Sequence, residues 1–420
     1  MKQRIAITGI GVVSPNGIGV KAFEEALRHQ VSGIRFLQIL ADASFACQVG
    51  GVPEVPEDLL NHRFDALTQR FLTSSGIQFG ILAAWEAWEM AGLPLGKEET
   101  YWEIGACFGT GLAGVEPLRD AIYQVDQGQV RRLGSRVVEQ TMPSGISAYL
   151  TGIFGLGGPV MTNSSACATG TESVILAAEA IRAGKAKVMM AGSCDSFGPH
   201  IWGGFDSMRV LARHANDQPT LASAPLSNHA AGFVPAAGAG ALILEDWDHA
   251  LARGVPILAE YLDGATLAGG QRNGGTMTAP NPEGVRRCLA TAMQRAEVLP
   301  QDIDLISGHL TSTMGDRAEV AHWAAVLNGH FPFLQAPKTY VGHCLAAAGA
   351  IEAVSCVLQL QKHFIFGNAN SRPLHPDIAA IWPEDKIPTH TLSQQTTEVV
   401  AKSSFGFGDV NACFFLKRCE

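Results

Sequence analysis

The sequence has little charge for its length. Only 16% of its 420 residues are Asp, Glu, Lys or Arg, and the formal net charge is −9. An acidic chain repels phosphate groups, which speaks against nucleic acid and anionic membranes as main partners. The sequence also lacks an apolar run of about 18 residues, the length that a membrane-spanning helix needs. Its first residues, MKQRIAITGIGVVSP, form no apolar signal segment. We therefore expect no membrane insertion and a cytoplasmic location.

Paired cysteine motifs are missing too. The nine cysteines occur without CxxC spacing and without His and Cys residues at the spacing of a metal site. An odd, scattered set of cysteines is typical of a reducing compartment. We expect no metal.

Two familiar enzyme motifs are incomplete or absent. Gly9 and Gly11 begin a dinucleotide-binding fingerprint, but Ser14 occupies the position of its third glycine, and no acidic residue follows on a second strand. This pattern argues against NAD binding. No GxSxG segment has a strand before it and a helix after it, which argues against a serine hydrolase.

Small and apolar residues dominate the rest of the chain. Hydrophobic residues make up 47% of it and 46 residues are glycine, a composition that indicates helices packed closely on a sheet. The length predicts two fused halves, residues 1–250 and 251–420. The predicted strands are Arg4–Val13, Trp102–Phe108, Val160–Ser164, Ala186–Ala191, Gly238–Glu245, Ile257–Thr266 and Ile303–Gly308. The predicted helices are Gly19–His29, Leu67–Ala91, Ser173–Arg182, Gly284–Ala296 and Arg317–Leu327.

Cys167 lies in the segment NSSACATGTESVILAAEAIR, residues 163–182. A strand pattern precedes it and a helix pattern follows it. The thiol is therefore expected beside the N–H groups at the start of a helix, where a thiolate is favoured. A buried structural cysteine is the alternative. The small neighbours leave room for a substrate and favour a nucleophile.

Two histidines stand out in the second half. His309 comes directly after a strand pattern, and His343 lies on a turn before an Ala-rich helix pattern, with Lys338 five residues earlier. The segment after His343 has the same layout as the one around Cys167. This predicts a duplicated chain with His343 at the position that Cys167 has in the first half. Either histidine alone could be structural, but together with the thiol they indicate an active site.

The segment NSSACATGTES resembles the active-site segment of β-ketoacyl-acyl carrier protein synthases, the condensing enzymes of fatty acid and type II polyketide synthesis. Five further segments resemble the family's motifs in the same order: TGIGVVSPNG, GTGLAG, GHLTST, KTYVGH and SSFGFGDVN. The resemblance covers nearly the whole chain. It implies an α/β, thiolase-like fold in which two duplicated βαβαβαββ halves form a five-layered αβαβα arrangement, usually as a homodimer.

The resemblance also implies roles for the three reactive side chains. Cys167 would accept the acyl group, because a thiolate attacks a thioester well and the new thioester is a good acyl donor. His309 and His343 would drive decarboxylation of a malonyl thioester, since two imidazole N–H donors can stabilise the enolate oxygen.

Supporting roles are implied for three other residues. Lys338 would orient the histidines together with Glu319. Phe405 would gate the pocket, and its N–H would form an oxyanion hole with the N–H of Cys167. No cofactor is required.

The resemblance further implies an acyl carrier protein as partner. Leu112 would border the acyl tunnel, and the segment 141–150, with Ile146, would close its floor across a two-fold axis. A homodimer is expected, and a heterodimer with a related chain-length-factor subunit stays open. Four arginines flank the implied entrance and could bind an acidic carrier, although solvated surface arginine is the alternative: Arg63, Arg70, Arg209 and Arg213.

The chain departs from the family pattern at several positions. In APLSNHAAGFVPAAGAG, Ala230 and Ala231 replace a charged pair and Ala237 replaces an acid, while Leu310 and Asp409 replace glycines. These changes leave the catalytic set intact. They favour a specialised fatty acid, polyketide or polyene pathway over housekeeping elongation.

Two other functions stay open. A non-catalytic subunit like a chain-length factor would share the fold but typically lacks the nucleophile, so Cys167 counts against it. A thiolase would need a second catalytic cysteine near the C-terminus. Cys413 and Cys419 are present there but lie outside the CxG context of that family.

Overall fold

A computed structural model describes residues 2–96 and 98–419, in which strands and helices alternate through both halves of the chain. The strands are β1 Ile5–Ser14, β2 Gly17–Ile18, β3 Ile34–Phe36, β4 Val49–Gly51, β5 Ile104–Thr110, β6 Val160–Met161, β7 Val188–Asp195, β8 Gly238–Asp246, β9 Ala259–Ala268, β10 Leu305–Ser307, β11 Phe333–Gln335, β12 Phe364–Ile365, β13 Leu392–Ser393, β14 Val399–Gly406 and β15 Val410–Lys417.

The helices are α1 Val20–Arg28, α2 Gln38–Asp42, α3 Glu57–Arg63, α4 Ala66–Phe71, α5 Ser75–Met90, α6 Val115–Asp126, α7 Val137–Thr141, α8 Gly145–Phe154, α9 Thr169–Arg182, α10 Pro199–Ser207, α11 Trp247–Arg253, α12 Pro282–Ala296, α13 Gly315–Leu327, α14 Lys338–Val341, α15 Ala348–Lys362 and α16 Pro376–Ala379. Within the described ranges, none of them has the length and apolar character needed to cross a bilayer.

The main sheet has eleven strands, and its two halves follow the same plan. The first half runs β1–β8–β7–β5–β6, with β2 paired to β1, and the second runs β9–β15–β14–β10–β11. In each half the first two pairings are antiparallel and the last two are parallel. Antiparallel pairing of β1 with β9 joins the halves. The predicted duplication of the chain is therefore confirmed in the strand order.

Helices complete the layers. α9 and α15 pack against each other between the two halves of the sheet, α5 covers the outer face of the first half, and α12 covers the outer face of the second. Apolar cores fill the spaces between these layers. The central helices approach closely because glycines lie at their crossing: a Cβ on Gly170 would lie 2.4 Å from the N atom of Ala350. The expected five-layered αβαβα arrangement is confirmed.

The glycines of β1 serve packing. A Cβ added to Gly9 would lie 2.1 Å from the carbonyl oxygen of Ala87, and one added to Gly11 would lie 2.0 Å from that of Ala83. Both oxygens belong to α5, so these glycines let the helix rest directly on the strand. Helix packing thus accounts for the partial dinucleotide fingerprint.

Several predicted boundaries differ from the structure by a few residues, and two differences concern the region before and in β5. The helix expected over 67–91 is divided into α4 and α5. At the break, the side-chain oxygen of Gln140 accepts hydrogen bonds from the N–H groups of Thr73 and Ser74, and the Ser74 hydroxyl caps α5 by accepting from the N–H of Ile77. The strand expected from Trp102 begins only at residue 104, and the Trp102 side chain is 75% exposed.

Candidate active site

Cys167 lies in a short 3-10 turn, Ala166–Ala168, that leads directly into α9. The turn is held by Thr169, whose hydroxyl donates to the carbonyl of Ala166 (2.7 Å) and accepts from the N–H of Ser165 (2.8 Å). The cysteine is partly exposed. The sequence prediction of a thiol at the start of a helix is confirmed.

The structure brings the predicted thiol and the two predicted imidazoles together. The Sγ of Cys167 and one ring nitrogen each of His309 and His343 all lie within 4.8 Å of one another. The two imidazole rings are 5.3 Å apart between centroids and nearly perpendicular, at 82°. A single cluster therefore combines one nucleophile from the first half with two nitrogen bases from the second.

The register of the duplication differs from the prediction. The turn Ala166–Ala168 before α9 corresponds to the turn Leu345–Ala347 before α15, and the first residue of each turn has a φ near 50°. Ala346 therefore occupies the position of Cys167, and His343 lies three residues earlier. His343 also follows the short helix α14 rather than a strand, because β11 has already ended.

His343 is held in one tautomer. Its Nδ1 accepts a hydrogen bond from the N–H of Leu345 (3.2 Å), so the ring proton of the neutral side chain is on Nε2. Its backbone is fixed between the carbonyl of Val234 and the N–H of Ala236. The Nδ1 of His309 has no hydrogen-bond partner among the described residues.

Both histidines are neutral. Burial lowers the pKa of His309 and of His343 well below the usual value, and the positive charge of Lys338 lowers both pKa values further. Neutral imidazoles can donate one N–H each without carrying charge. The pair is therefore suited to stabilise an oxyanion.

The supporting charges are arranged differently from the prediction. Glu319 accepts hydrogen bonds from the backbone N–H groups of His309 (2.7 Å) and Leu310 (2.8 Å), and burial raises its pKa to about 7. Lys338 forms its ion pair with Glu352 instead. The expected joint action of Lys338 and Glu319 is thus replaced by two separate contacts. Glu319 holds the backbone of His309, and Lys338 of α14 pairs with Glu352 of α15.

The expectation of a thiolate was wrong for the resting site. Burial raises the pKa of the Cys167 thiol to about 11, which outweighs the opposing effects of Lys338 and of a hydrogen bond from the backbone N–H of Phe407. The thiol must therefore lose its proton during attack rather than before it.

The assignment of Phe405 was also wrong. Phe405 lies inside β14, where it pairs with Asn411 of β15, and its side chain is buried in the core. Phe407 follows the end of the strand, is partly exposed, and directs its N–H to the sulfur of Cys167. Between them, Gly406 passes so close to the nucleophile that an added Cβ would lie 3.3 Å from the N atom of Cys167.

Sequence reasoning missed an aromatic group beside the cluster. The ring of Phe205 lies 5.5 Å from that of Phe233 and 6.1 Å from that of Phe407, and Phe233 lies 5.2 Å from the ring of His343. The second Phe of FGFG and the Phe of AGFV were the available signals. These rings give the site an apolar wall.

Asp195 was missed as well. Its Oδ1 accepts from the N–H groups of Gly111 (3.1 Å) and Leu112 (2.8 Å), and its Oδ2 accepts from that of Ala346 (2.8 Å). Burial raises its pKa to about 6. The carboxylate ties the GTGLAG turn to the turn that follows His343, and the acid in GSCDS was its only signal.

The departures from the family pattern are accommodated in the structure. Ala237 is buried. Leu310 has a φ of 21°, which strains a residue with a side chain. Asp409 has a φ of 64°, and its carboxylate accepts from the N–H groups of Gln271 and Asn281, both at 2.8 Å, so it fastens the loop 269–281.

The implied pocket and carrier residues lie in varied environments. Leu112 is 46% exposed in the single chain, whereas Ile146 is buried. Among the arginines, Arg63 is bound through two hydrogen bonds of 2.6 Å to Glu89. Arg70 and Arg209 are exposed and Arg213 is partly buried. Their roles stay predictions.

Fold and site together define a condensing enzyme, in which duplicated halves bring a thiol against two neutral imidazoles. The chain belongs to the β-ketoacyl synthase family: the N-terminal domain of that family matches residues 2–250 and its C-terminal domain matches residues 259–372.

Three relatives illustrate the likeness. The 3-oxoacyl-[acyl-carrier-protein] synthase 1 of Escherichia coli K12 is 33% identical over 100% of both chains. The AntDE:AntF structure, in which a type II polyketide synthase acyl-carrier protein is complexed with its ketosynthase bound to the hexaketide, superposes with a TM-score of 0.87 and 25% identity. The ishigamide ketosynthase/chain length factor gives the same TM-score and identity. Both structures match over 100% of each chain.

Proposed function

We propose that this protein is a β-ketoacyl-acyl carrier protein synthase, which condenses an acyl thioester with malonyl-acyl carrier protein and releases CO2. The observation that carries the proposal is the cluster of Cys167, His309 and His343 within 4.8 Å. A thiol can hold the acyl group while two neutral imidazoles activate the malonyl group. No step of the reaction needs a cofactor.

The first half-reaction transfers the acyl group. The sulfur of Cys167 attacks the acyl carrier thioester and loses its proton as the bond forms, and the carrier thiol leaves. The negative charge on the tetrahedral oxygen is held by the N–H groups of Cys167 and Phe407. The hydrogen bond from the N–H of Phe407 to the sulfur supports this role, because it places the donor next to the attacked carbon.

The second half-reaction forms the carbon–carbon bond. The malonyl carboxylate leaves as CO2, and its bonding electrons become the enolate, whose oxygen accepts an N–H from His309 and another from His343. The enolate carbon then attacks the acyl group on Cys167. The cysteine leaves as a thiolate and takes up a proton from the solvent. The lowered pKa values of both histidines support neutral donors in this step.

The partner that we infer is a second subunit, with a homodimer as the first choice. One face of α6 exposes three apolar side chains at helical spacing, each 44% to 53% exposed: Leu118, Ile122 and Val125. The half-exposed Leu112 and the edge strand β6 belong to the same half of the chain. A heterodimer with a chain-length-factor-like subunit is the alternative. The similar ishigamide structure supports it, because that structure is a ketosynthase/chain length factor.

A specialised pathway fits better than housekeeping elongation, because Leu310 and Asp409 stand where the family has glycines and both have a positive φ in turns near His309 and Phe407. We also infer a cytoplasmic location, which suits nine unpaired thiols. The alternative that the chain is a non-catalytic subunit is disfavoured by the complete set of three reactive groups.

A condensation assay with purified acyl carrier protein tests the proposal. The enzyme, an acyl carrier thioester and malonyl carrier protein should yield a β-ketoacyl product and CO2. Cys167→Ala should give no product while keeping the thermal unfolding temperature within a few degrees, because the lost thiol is small. The buried Cys356 supplies a matched control, and Cys356→Ala should stay active. Full activity of Cys167→Ala would reject the proposal.

A further inference from the structure

A second lysine lies buried beside the catalytic cluster. Lys402, in β14, has a fully buried side chain. Its Nζ lies 2.8 Å from the Oε2 of Glu352, so the two groups form an ion pair, although the geometry is not that of a hydrogen bond. The other oxygen of Glu352 binds the Nζ of Lys338. All three side chains are at most 1% exposed. One carboxylate therefore bridges two lysines, and the formal charge of the group is +1.

This arrangement is costly for stability alone. A buried charge requires a partner, and a bridging carboxylate can compensate only one of the two ammonium groups. An apolar side chain in place of the second lysine would pack in the same space without this penalty. A buried excess charge next to a reactive cluster is therefore a candidate for a role in the reaction.

The three residues 402–404 connect the parts of the site. The Nζ of Lys402 also donates to the hydroxyl of Ser404 (3.0 Å), which in turn shares a hydrogen bond with Thr171 in α9 (2.8 Å). Ser403 donates to Glu319 (3.2 Å), the carboxylate that holds the backbone of the first histidine. The end of β14 thus reaches the helix of the nucleophile, the loop of His309 and the ion pair in α15.

We propose that Lys402 is a positioning residue for the decarboxylation half-reaction, where it holds Glu352 in the bridge and places a buried positive charge behind His309 and His343. This inference rests on the proposed function. When the bond to the malonyl carboxylate breaks, its electron pair becomes the enolate, and the positive charge favours that state. Lys402 itself transfers no proton.

The charge of Lys402 acts on both histidines, because it contributes to the lowered pKa of His309 and of His343. The largest charge effects on the pKa of Cys167 come instead from Lys338, Asp195 and Glu352. Removal of Lys402 should therefore slow the chemistry at the histidines more than the chemistry at the thiol.

Two half-reactions measured on the intact protein test this inference. CO2 release from malonyl carrier protein reports on the histidines, and alkylation of Cys167 by iodoacetamide reports on the thiol. In Lys402→Met we expect kcat for CO2 release to fall about tenfold or more. KM for malonyl carrier protein and the alkylation rate should stay within about twofold of wild type. Lys402→Gln, which keeps polar contacts in the same space, should show the same split if the Met variant does not fold.

Glu86→Gln is the matched control. Glu86 is a partly buried charged residue, but it lies on α5 and accepts from the backbone N–H groups of Val12 and Val20. It should lower stability without separating the two half-reactions. If the wild type is active while the Lys402 variant is unchanged or loses both half-reactions equally, the role of Lys402 would be overturned and the proposed function would stay intact. A wild type that releases no CO2 would reject the proposed function, and this inference with it.

Discussion

Lys338 and Glu352 form an ion pair in which each side chain is only 1% exposed. The two residues are 14 positions apart in the sequence. Lys338 lies on α14, before His343, and Glu352 lies on α15, after it. Removal of Glu352 leaves two buried ammonium groups without their shared carboxylate, which costs about 3–5 kcal/mol. The pair therefore fixes the position of the turn that carries His343.

Double-mutant cycles test whether Glu352 rather than Glu319 is the partner of Lys338. We expect Lys338→Met and Glu352→Gln to be coupled by at least about 1 kcal/mol in the free energy of unfolding, because they share one contact. Lys338→Met and Glu319→Gln should be additive within about 0.5 kcal/mol. Urea denaturation of the single and double variants gives these values. Coupling confined to the Glu319 cycle would reverse the assignment.

Gly406→Ala should damage the site directly. The added Cβ would lie 2.6 Å from the carbonyl oxygen of Ser165, so either the turn with Cys167 or the end of β14 must move. A displacement of the Phe407 N–H should reduce condensation about 100-fold, the usual effect of a lost oxyanion donor. Gly204→Ala in α10 is the control, since no atom lies within 4 Å of its added Cβ. Equal activity of the two variants would contradict the placement of Phe407.

The lowered pKa of His343 predicts a stability loss in acid. Below about pH 6.5 the unfolded histidine takes up a proton that the folded one does not, so acidification favours unfolding. The contribution is about 1.4 kcal/mol for each pH unit. His343→Gln removes it, and the difference between the two unfolding free energies should therefore change with that slope from pH 6 to 5. Parallel curves would show that the folded histidine titrates normally.

Charge reversal tests the carrier surface. Arg70→Glu and Arg209→Glu alter exposed cations and should raise KM for the acyl carrier protein several-fold, with weaker dependence of KM on salt because less attraction remains to be screened. Arg63→Glu should mainly lower stability, because Arg63 is already bound to Glu89. Arg287→Glu, on the outer helix α12, carries the same change away from the site and should leave KM unchanged. Carrier kinetics that ignore both exposed arginines would place the carrier elsewhere.

The alternation of strands and helices and the three reactive residues could be predicted because their signals are local, whereas the five-layered arrangement was implied by the family resemblance. Strand and helix patterns alternate with short connections, and small residues surround Cys167. His309 follows its strand within two residues. These features are set by residues that are close in the sequence, and they are present in the structure.

The errors concern relations that only tertiary packing decides. The partner of Lys338 could be any carboxylate that the fold brings near, and the sequence gives no distance between Glu319 and Glu352. The SSFGFG segment offers two phenylalanines, and only the end of β14 at Gly406 decides that Phe407 faces the sulfur. The thiol pKa was misjudged because burial, which the sequence does not quantify, outweighs the helix terminus.

The most direct test of the account is the identity of the acylated residue. The protein should be incubated with an acyl carrier thioester, digested and analysed by mass spectrometry. We predict one acyl group on the peptide that contains Cys167, and its loss when malonyl carrier protein is added, as the acyl group passes into the β-ketoacyl product. An adduct on another cysteine, or a Cys167 adduct that malonyl carrier protein does not consume, would contradict the account.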